Sequence, residues 1–255
     1  MLSIAINVKN GEKYLDRCLN ALRCFDDVVL MDNHSTDQTI AIAKKYPNVQ
    51  IIEHDFLGFG KCRNILATYA KYDWLFFVDS DEIISNQLAK TLQSMKFCDG
   101  CVYSILRHNF YDNYLLNSSS WSNDWVNRIY NRKETKYAES DVHESVETNN
   151  LIIKKITSGA IDHFPYENIS QLIDKMQFYS TLYAKQNLGK KKIRLYSIPF
   201  RAIITFIKCY FLKRGFKDGF VGFTISSFNA IGVFVKYIKL YELNRKAKTA
   251  HLENK

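Results

Sequence analysis

Proline is scarce in this chain, three residues in 255, which excludes long extended linkers. Apolar runs that approach the length needed to cross a bilayer are few. The uncharged stretch 219–235 is slightly short for that purpose and contains Gly, Ser, Thr and Asn, so an interfacial or packed helix is expected there rather than a transmembrane one. No secretory leader precedes the first apolar segment, and the six cysteines are scattered, so the expected setting is a reducing cytosol. Cys98-Asp-Gly-Cys101 forms a C-x-x-C without a second pair; it is read as structural, and no zinc is expected. The glycines of Gly58-Phe-Gly60-Lys61 fit neither the Gly-x-x-x-x-Gly-Lys-Ser/Thr phosphate loop nor a dinucleotide fingerprint.

What is present is a foldable chain. The 47% hydrophobic and 14% aromatic content excludes a disordered polypeptide, and the length suits one large α/β domain or a domain with an appendage. The net charge of +9 is unevenly spread: residues 1–150 hold sixteen Lys and Arg against twenty Asp and Glu, and residues 151–255 hold nineteen against six. A basic, aromatic C-terminal region suits nucleic acid, anionic lipid or a phosphorylated acceptor, or it is a solvated lysine-rich face.

The organising stretch is Trp74-Leu-Phe-Phe-Val-Asp79-Ser-Asp81-Glu82. An apolar run of this kind reads as a buried strand of a parallel sheet, and ligands bind outside the carboxyl ends of such strands. While the chain stays extended, Asp79 and Asp81 point the same way, and two hard oxygen donors suit a divalent cation that carries a substrate phosphate. The alternative is that these acids cap the next helix.

Around that stretch, strands are expected at Ser3–Val8, Val28–Met31 and Val49–Glu53, with helices at Glu12–Phe25, after a Ser35-Thr-Asp-Gln38 capping box, up to Tyr69, and at Ser85–Met95. This alternation gives a parallel twisted sheet. The polar turn Asn7-Val-Lys9-Asn-Gly11 offers backbone N–H groups to a ligand. Asp32, at a strand end, either accepts from a nucleotide base or ribose or assists the helix start. Gly58 to Arg63 at a helix start can approach a diphosphate. Beyond Gly100 the pattern changes to shorter β-prone runs, 101–106, 110–115 and 126–130, then 151–156 and 161–164. Trp121 and Asp124 pair an aromatic with a polar group, as a sugar-binding face would; loop anchoring is the alternative. Glu144 lies in a β-branched run, where an acid is paired or functional, and His163 is either a structural histidine or a ligand. A helix is expected from Ser170 to Gln186, then apolar segments 199–213 and 219–240.

The order of Asn7-Val-Lys-Asn-Gly11-Glu12, Asp32-Asn-His-Ser35-Thr-Asp37, Gly60-Lys61-Cys-Arg63-Asn64, Asp79-Ser-Asp81-Glu82, Arg128-Ile-Tyr130 and Val142-His143-Glu144 resembles the inverting family-two glycosyltransferases of GT-A fold. With Asp218-Gly219-Phe-Val-Gly222-Phe223, the chain looks most like the bacterial subgroup that adds glucose to a heptose of the lipopolysaccharide inner core. The resemblance implies a Rossmann-like nucleotide-binding sheet with a mixed β acceptor half, residues 1–99 and 100–168, followed by a helical, basic amphipathic region, 169–255. It implies Asn7, Lys9, Asp32, Arg63 and Asp79 at the donor, with Asp32 on uracil and Asp79 on ribose; Asp81 and His163 at Mg²⁺ or Mn²⁺; Trp121, Asp124, Arg128 and His143 at the acceptor; and Glu144 as general base. His143-Glu144 stands where the family usually has a Glu-Asp pair. The implied partners are a UDP-sugar, a lipopolysaccharide core acceptor and an anionic membrane surface, without nucleic acid, on the cytoplasmic face of the inner membrane. Rival readings are a nucleotidyltransferase, whose Gly-rich loop after the first strand Asn7–Gly11 matches poorly, and a non-catalytic basic module using residues 190–255.

Overall fold

The computed structural model describes residues 1–118, 121–122, 124–139 and 145–253. Strands β1 (Ser3–Val8), β2 (Val28–Asp32), β3 (Val49–Glu53) and β4 (Trp74–Phe77) pair in parallel in the order β3-β2-β1-β4. They are joined by helices α1 (Glu12–Ala21), α2 (Thr39–Ala43) and α3 (Phe59–Tyr69), and β5 (Glu82–Ile84) leads into α4 (Asn86–Ser94). Every residue of β2 is buried, as expected of a strand covered on both faces. Ile4, Ile6, Val8, Leu30 and Phe76 face Leu15, Leu19, Leu88 and Leu92 of α1 and α4. Ala5, Val29, Met31, Leu75 and Phe77 face Cys62, Leu66 and Ala67 of α3. Period-two alternation thus builds two cores from one sheet, each fully buried large side chain adding about 1.5–3 kcal/mol.

The sheet then changes sense. β8 (Asp124–Asn131) runs antiparallel to β4, β6 (Cys101–Tyr111) antiparallel to β8, and β9 (Ile152–Tyr166) lies between β6 and β5. The runs expected at 151–156 and 161–164 are one strand, β9, which passes Gly159 at φ +88. A Cβ at Gly159 would lie 2.4 Å from the Leu88 nitrogen, so only glycine lets this strand cross the start of α4. The runs expected at 101–106 and 110–115 likewise become one long β6 and a short hairpin partner, β7 (Tyr114–Leu115), turned at Asp112 with φ +54.

The chain divides into two compact units, one of residues 1–108 and 124–165 and the other of 109–123 and 166–255. The second contains α5 (Ile169–Gln186), α6 (Ser197–Ile207), a π-helical turn (Lys208–Leu212), a 3-10 turn (Gly215–Asp218) and α7 (Gly219–Glu253). Asn168 caps α5 by accepting from Gln171 N at 3.0 Å. Leu172, Ile225, Tyr111 and Leu116 form its core, with Trp121, Tyr166 and Phe228 against them. Asp218, 4% exposed, accepts from Ser118 N at 3.0 Å and Ser118 Oγ at 2.6 Å and so ties residues 114–118 to the foot of α7. Gly222 sits so close to Gly215 that a Cβ would lie 1.8 Å from its carbonyl oxygen.

Candidate active site

The strand order places a topological switch between β1 and β4, because the chain leaves β1 toward β2 and β3 and returns on the other side. The crevice outside the carboxyl ends of such strands is where α/β sheets take ligands. Asn7 near the end of β1, Asp32 at the end of β2 and Asp79–Asp81 after β4 stand at those ends.

Past Phe77 the chain does not stay extended. Glu82 N donates to Asp79 O at 2.9 Å and Asp79 N to Glu82 Oε2 at 3.0 Å, which closes a tight turn. Asp79 and Asp81 therefore do not share one face of a strand. Nor does Glu82 look toward a ligand: it is fully buried and accepts from Arg107 Nη1 at 2.9 Å and Arg128 Nη2 at 2.7 Å. Asp79 accepts from Arg63 Nη2 at 2.8 Å and Arg128 Nη2 at 2.6 Å. Burial alone would push the Asp79 carboxyl up, but the charges of Arg128 and Arg63, with the Arg128 hydrogen bond and the charge of Arg107, hold it far below the usual carboxylate range. Asp81 turns to β9 instead, its carbonyl accepting from Phe164 N at 3.0 Å and its Oδ2 lying 3.7 Å from His163 Nε2.

The two loops beside β1 and β2 are laced together. Asn10 N donates to Ser35 Oγ at 2.8 Å, Gly11 N to Thr39 Oγ1 at 2.9 Å and Glu12 N to Asp37 Oδ2 at 3.1 Å; in return Thr36 N donates to Asn10 Oδ1 at 2.8 Å and Gln38 N to Glu12 Oε2 at 3.0 Å. The N–H groups of Asn10 and Gly11, expected to meet a ligand, are thus engaged by the neighbouring loop, as is that of Glu12. The same lacing displaces the capping box: Ser35 serves Asn10, and α2 begins only at Thr39, without a side-chain cap. Asp32 accepts from Ser35 N at 2.9 Å through Oδ2, whereas its Oδ1 and the Asn7 Oδ1 are buried acceptors without a protein partner among the described residues. Strand alternation sets Asn7 on the α3 face and Asp32 on the α1 face. Lys9 is exposed.

Arg63 is 6% exposed, with its guanidinium 4.8 Å from the Tyr137 ring centroid; it braces Asp79 rather than reaching out from the helix start. Gly60 is likewise committed to packing, since a Cβ there would lie 2.1 Å from Ala138 O. Of the residues expected at the acceptor, Arg128 is buried in the Asp79–Glu82 cluster. Asp124 Oδ2 accepts from Arg107 Nε at 2.9 Å and Nη2 at 2.7 Å. Trp121 belongs to the second unit and stacks on Tyr166 at 5.2 Å. His143 and Glu144 lie outside the described residues. Arg107 was not expected here. It sits in a strand with no motif around it, and only the imbalance of three acids at 79–82 signals that buried cations must be supplied from elsewhere.

Among the described residues no group of three or more His, Cys, Asp and Glu side chains could hold a metal ion. Asp81 and His163, 3.7 Å apart and with side chains 28% and 14% exposed, nevertheless offer one oxygen and one nitrogen donor. Two protein ligands fit an ion whose remaining positions are filled by substrate phosphate and water.

A family model described as "Glycosyl transferase family 2" matches residues 3–159. The chain belongs to this family. The family-2 chain is 29% identical to an uncharacterised glycosyltransferase of Rickettsia typhi over 97% of its own length and 89% of that protein's. It is 24% identical to the lipopolysaccharide core biosynthesis glycosyltransferase LpsC of Rhizobium meliloti, over 94% and 92% of the two chains. The structure of S. aureus TarS residues 1–349 in complex with UDP-GlcNAc aligns with 100% of this family-2 chain and 92% of that one, with a TM-score of 0.51 at 16% identity, a likeness of fold. The protein is a glycosyltransferase with a GT-A-like mixed sheet and a long C-terminal helix.

Proposed function

We propose that this glycosyltransferase moves a hexose, glucose in the first instance, from a UDP-sugar to a sugar of the lipopolysaccharide inner core, a heptose, by direct displacement with inversion. The observation that supports the reading is that Asn7, Asp32 and Asp79–Asp81 all stand at the carboxyl ends of β1, β2 and β4 beside the topological switch, where Asn7 and Asp32 each keep a buried oxygen without a partner among the described residues and Asp81 lies 3.7 Å from His163. Asp32 Oδ1 is suited to accept the N3–H of uracil. Asp79, with Arg63 and Arg128 already on its two oxygens, still has lone pairs for ribose hydroxyls. Lys9, exposed at the loop after β1, supplies a mobile cation toward the diphosphate.

Asp81 and His163 would hold a divalent ion, and when bound that ion neutralises the charge that grows on the departing diphosphate. Glu144 takes the proton from the acceptor hydroxyl as that oxygen bonds to the anomeric carbon and the carbon–oxygen bond to the diphosphate breaks. Attack opposite the leaving group turns an α-linked donor into a β-glycoside. Residues 1–99 serve the donor, Asp124 and His143 stand on the acceptor side, and the enzyme works as a peripheral protein on the cytoplasmic face of the inner membrane. The relative named for lipopolysaccharide core biosynthesis supports the acceptor class, and the neighbour crystallised with UDP-GlcNAc supports a UDP-linked donor.

The test incubates the protein with UDP-glucose, UDP-galactose or UDP-GlcNAc, Mg²⁺ or Mn²⁺, and deacylated inner-core oligosaccharide, with the product linkage read by NMR. A β-linked hexose product is expected, and Asp81→Ala and Glu144→Gln should each slow transfer by at least about 100-fold. Retention of near-native rates by either variant removes that residue from its role. An α-linked product rules out direct displacement.

A further inference from the structure

A helix on the outside of a protein turns its apolar stripe inward and its polar side to water. Helix α6 instead leaves most of its apolar side chains in water. Phe200, Ile203, Ile204 and Ile207, spaced three and four apart, are all exposed, Phe200 to 63%. The apolar surface continues through the π-helical turn to Leu212, 75% exposed, and onto the first turn of α7 at Phe220, 70% exposed. Ring contacts make the two helices one surface: Phe206 stacks on Tyr210 at 5.3 Å, and Phe223 meets Tyr210 at 5.9 Å and Phe206 at 6.0 Å.

The charge around this face has one sign. Lys208, Lys213, Arg214 and Lys217 are exposed along it, and Asp218 is the sole acid between Asp174 and Glu242. That acid is buried, taken up by Ser118 and by Asn117 N, so no carboxylate of this stretch reaches the surface. An apolar patch of this extent marks an interaction site. Aliphatic side chains among the rings give nucleic acid nothing to pair with, whereas long apolar groups fringed by lysine and arginine suit the boundary between acyl chains and anionic headgroups.

Helix α7 is long and apolar enough to cross a membrane by length and composition, but its polar contacts argue against leaving the fold. Lys239 Nζ donates to Gln177 Oε1 at 2.9 Å, Ser180 Oγ at 2.8 Å and Thr181 Oγ1 at 2.7 Å, all on α5. Insertion would strip that ammonium of these partners.

We infer that the face formed by α6, the π-helical turn and the start of α7 lies flat on an anionic lipid bilayer, with α7 packed against the protein and not across the membrane. This deepens the acceptor reading above by giving the enzyme a surface for a lipid-borne substrate, and it stands on different residues.

The test is co-sedimentation of the full chain with vesicles of equimolar phosphatidylcholine and phosphatidylglycerol, against vesicles of phosphatidylcholine alone. Binding to the anionic vesicles, weakened by salt and at least tenfold weaker on the neutral ones, is expected. The triple variant Ile204→Asp, Leu212→Asp, Phe220→Asp should lose binding by at least about 100-fold while its far-UV circular dichroism and its transfer to deacylated acceptor stay native. Absence of wild-type binding, equal binding by the triple variant, or a dimer that the triple variant dissociates would overturn the inference. So would retention of the bound protein through alkaline carbonate, which would mean that α7 has inserted. Failure of transfer to deacylated acceptor, with vesicle binding intact, would instead count against the glycosyl-transfer reading alone.

Discussion

Glu82 is a carboxylate taken up wholly by the fold beside the proposed site. Its two oxygens take Arg107, Arg128 and the Asp79 amide, and so it fixes the turn from which Asp79 and Asp81 project in different directions. Breaking a buried ion pair from one side leaves the other charge uncompensated, which costs about 3–5 kcal/mol. Arg128→Met, which matches the bulk and deletes the charge, is therefore expected to lower unfolding stability in urea by about 3–5 kcal/mol. A loss no larger than that of an exposed substitution would show that the cluster is held by other means. None of this was legible in the sequence. A run of three acids after an apolar strand reads as three groups facing out, and nothing local tells that Glu82 folds back, because its partners lie on strands that begin at residues 101 and 124.

At the scale of elements, the parallel half of the sheet was readable because a strand covered on both faces is continuously apolar, and Val28-Val-Leu-Met advertises itself. The antiparallel half was harder. Thr157-Ser-Gly159 reads as a break between two runs, yet these residues belong to one bent strand, β9. The glycines also carried a meaning other than the expected one. Gly60 reads as a residue that admits a diphosphate, yet the neighbour it admits is the backbone at Ala138, and Asn64 on the same helix holds Tyr137 by two reciprocal hydrogen bonds of 2.9 Å. Gly60→Ala should accordingly push α3 and residues 137–138 apart, and a thermal unfolding series should register a loss of about 1–3 kcal/mol. Gly100→Ala makes the comparison, since nothing lies within 4 Å of a Cβ there and only its φ of +69 opposes the change. The loss at Gly100 is expected to be the smaller of the two, and the reverse order would mean that the Gly60 contact relaxes freely.

For the molecule as a whole, the uneven charge seen in the sequence, acidic to residue 150 and basic after it, corresponds to a division of labour between a sheet that holds acids at its strand ends and a helical unit whose outer residues are cations and apolar groups. The first unit contains the proposed donor site, so UDP with Mn²⁺ should stabilise it by mass action. At a hundredfold excess over Kd the gain is about 2.7 kcal/mol, to be read by calorimetry as a raised unfolding temperature that Asp32→Ala abolishes. An unchanged temperature at saturating UDP would remove the donor reading. The overall plan was visible from the order of motifs, while the allocation of chain to the two units was not, because residues 109–123, from the end of β6 to the start of β8, group in mid-sequence with the C-terminal helices.

That excursion governs how the gene can be cut. The polypeptide changes unit three times, so no single stop codon separates them. A product ended near residue 168 would keep Tyr111, Leu116 and Trp121 but lack Leu172, Ile225 and Phe228, the side chains that cover them, and would carry a greasy orphan loop. Dissection of this enzyme calls for a splice that replaces 109–123 with a short hairpin, not for a truncation.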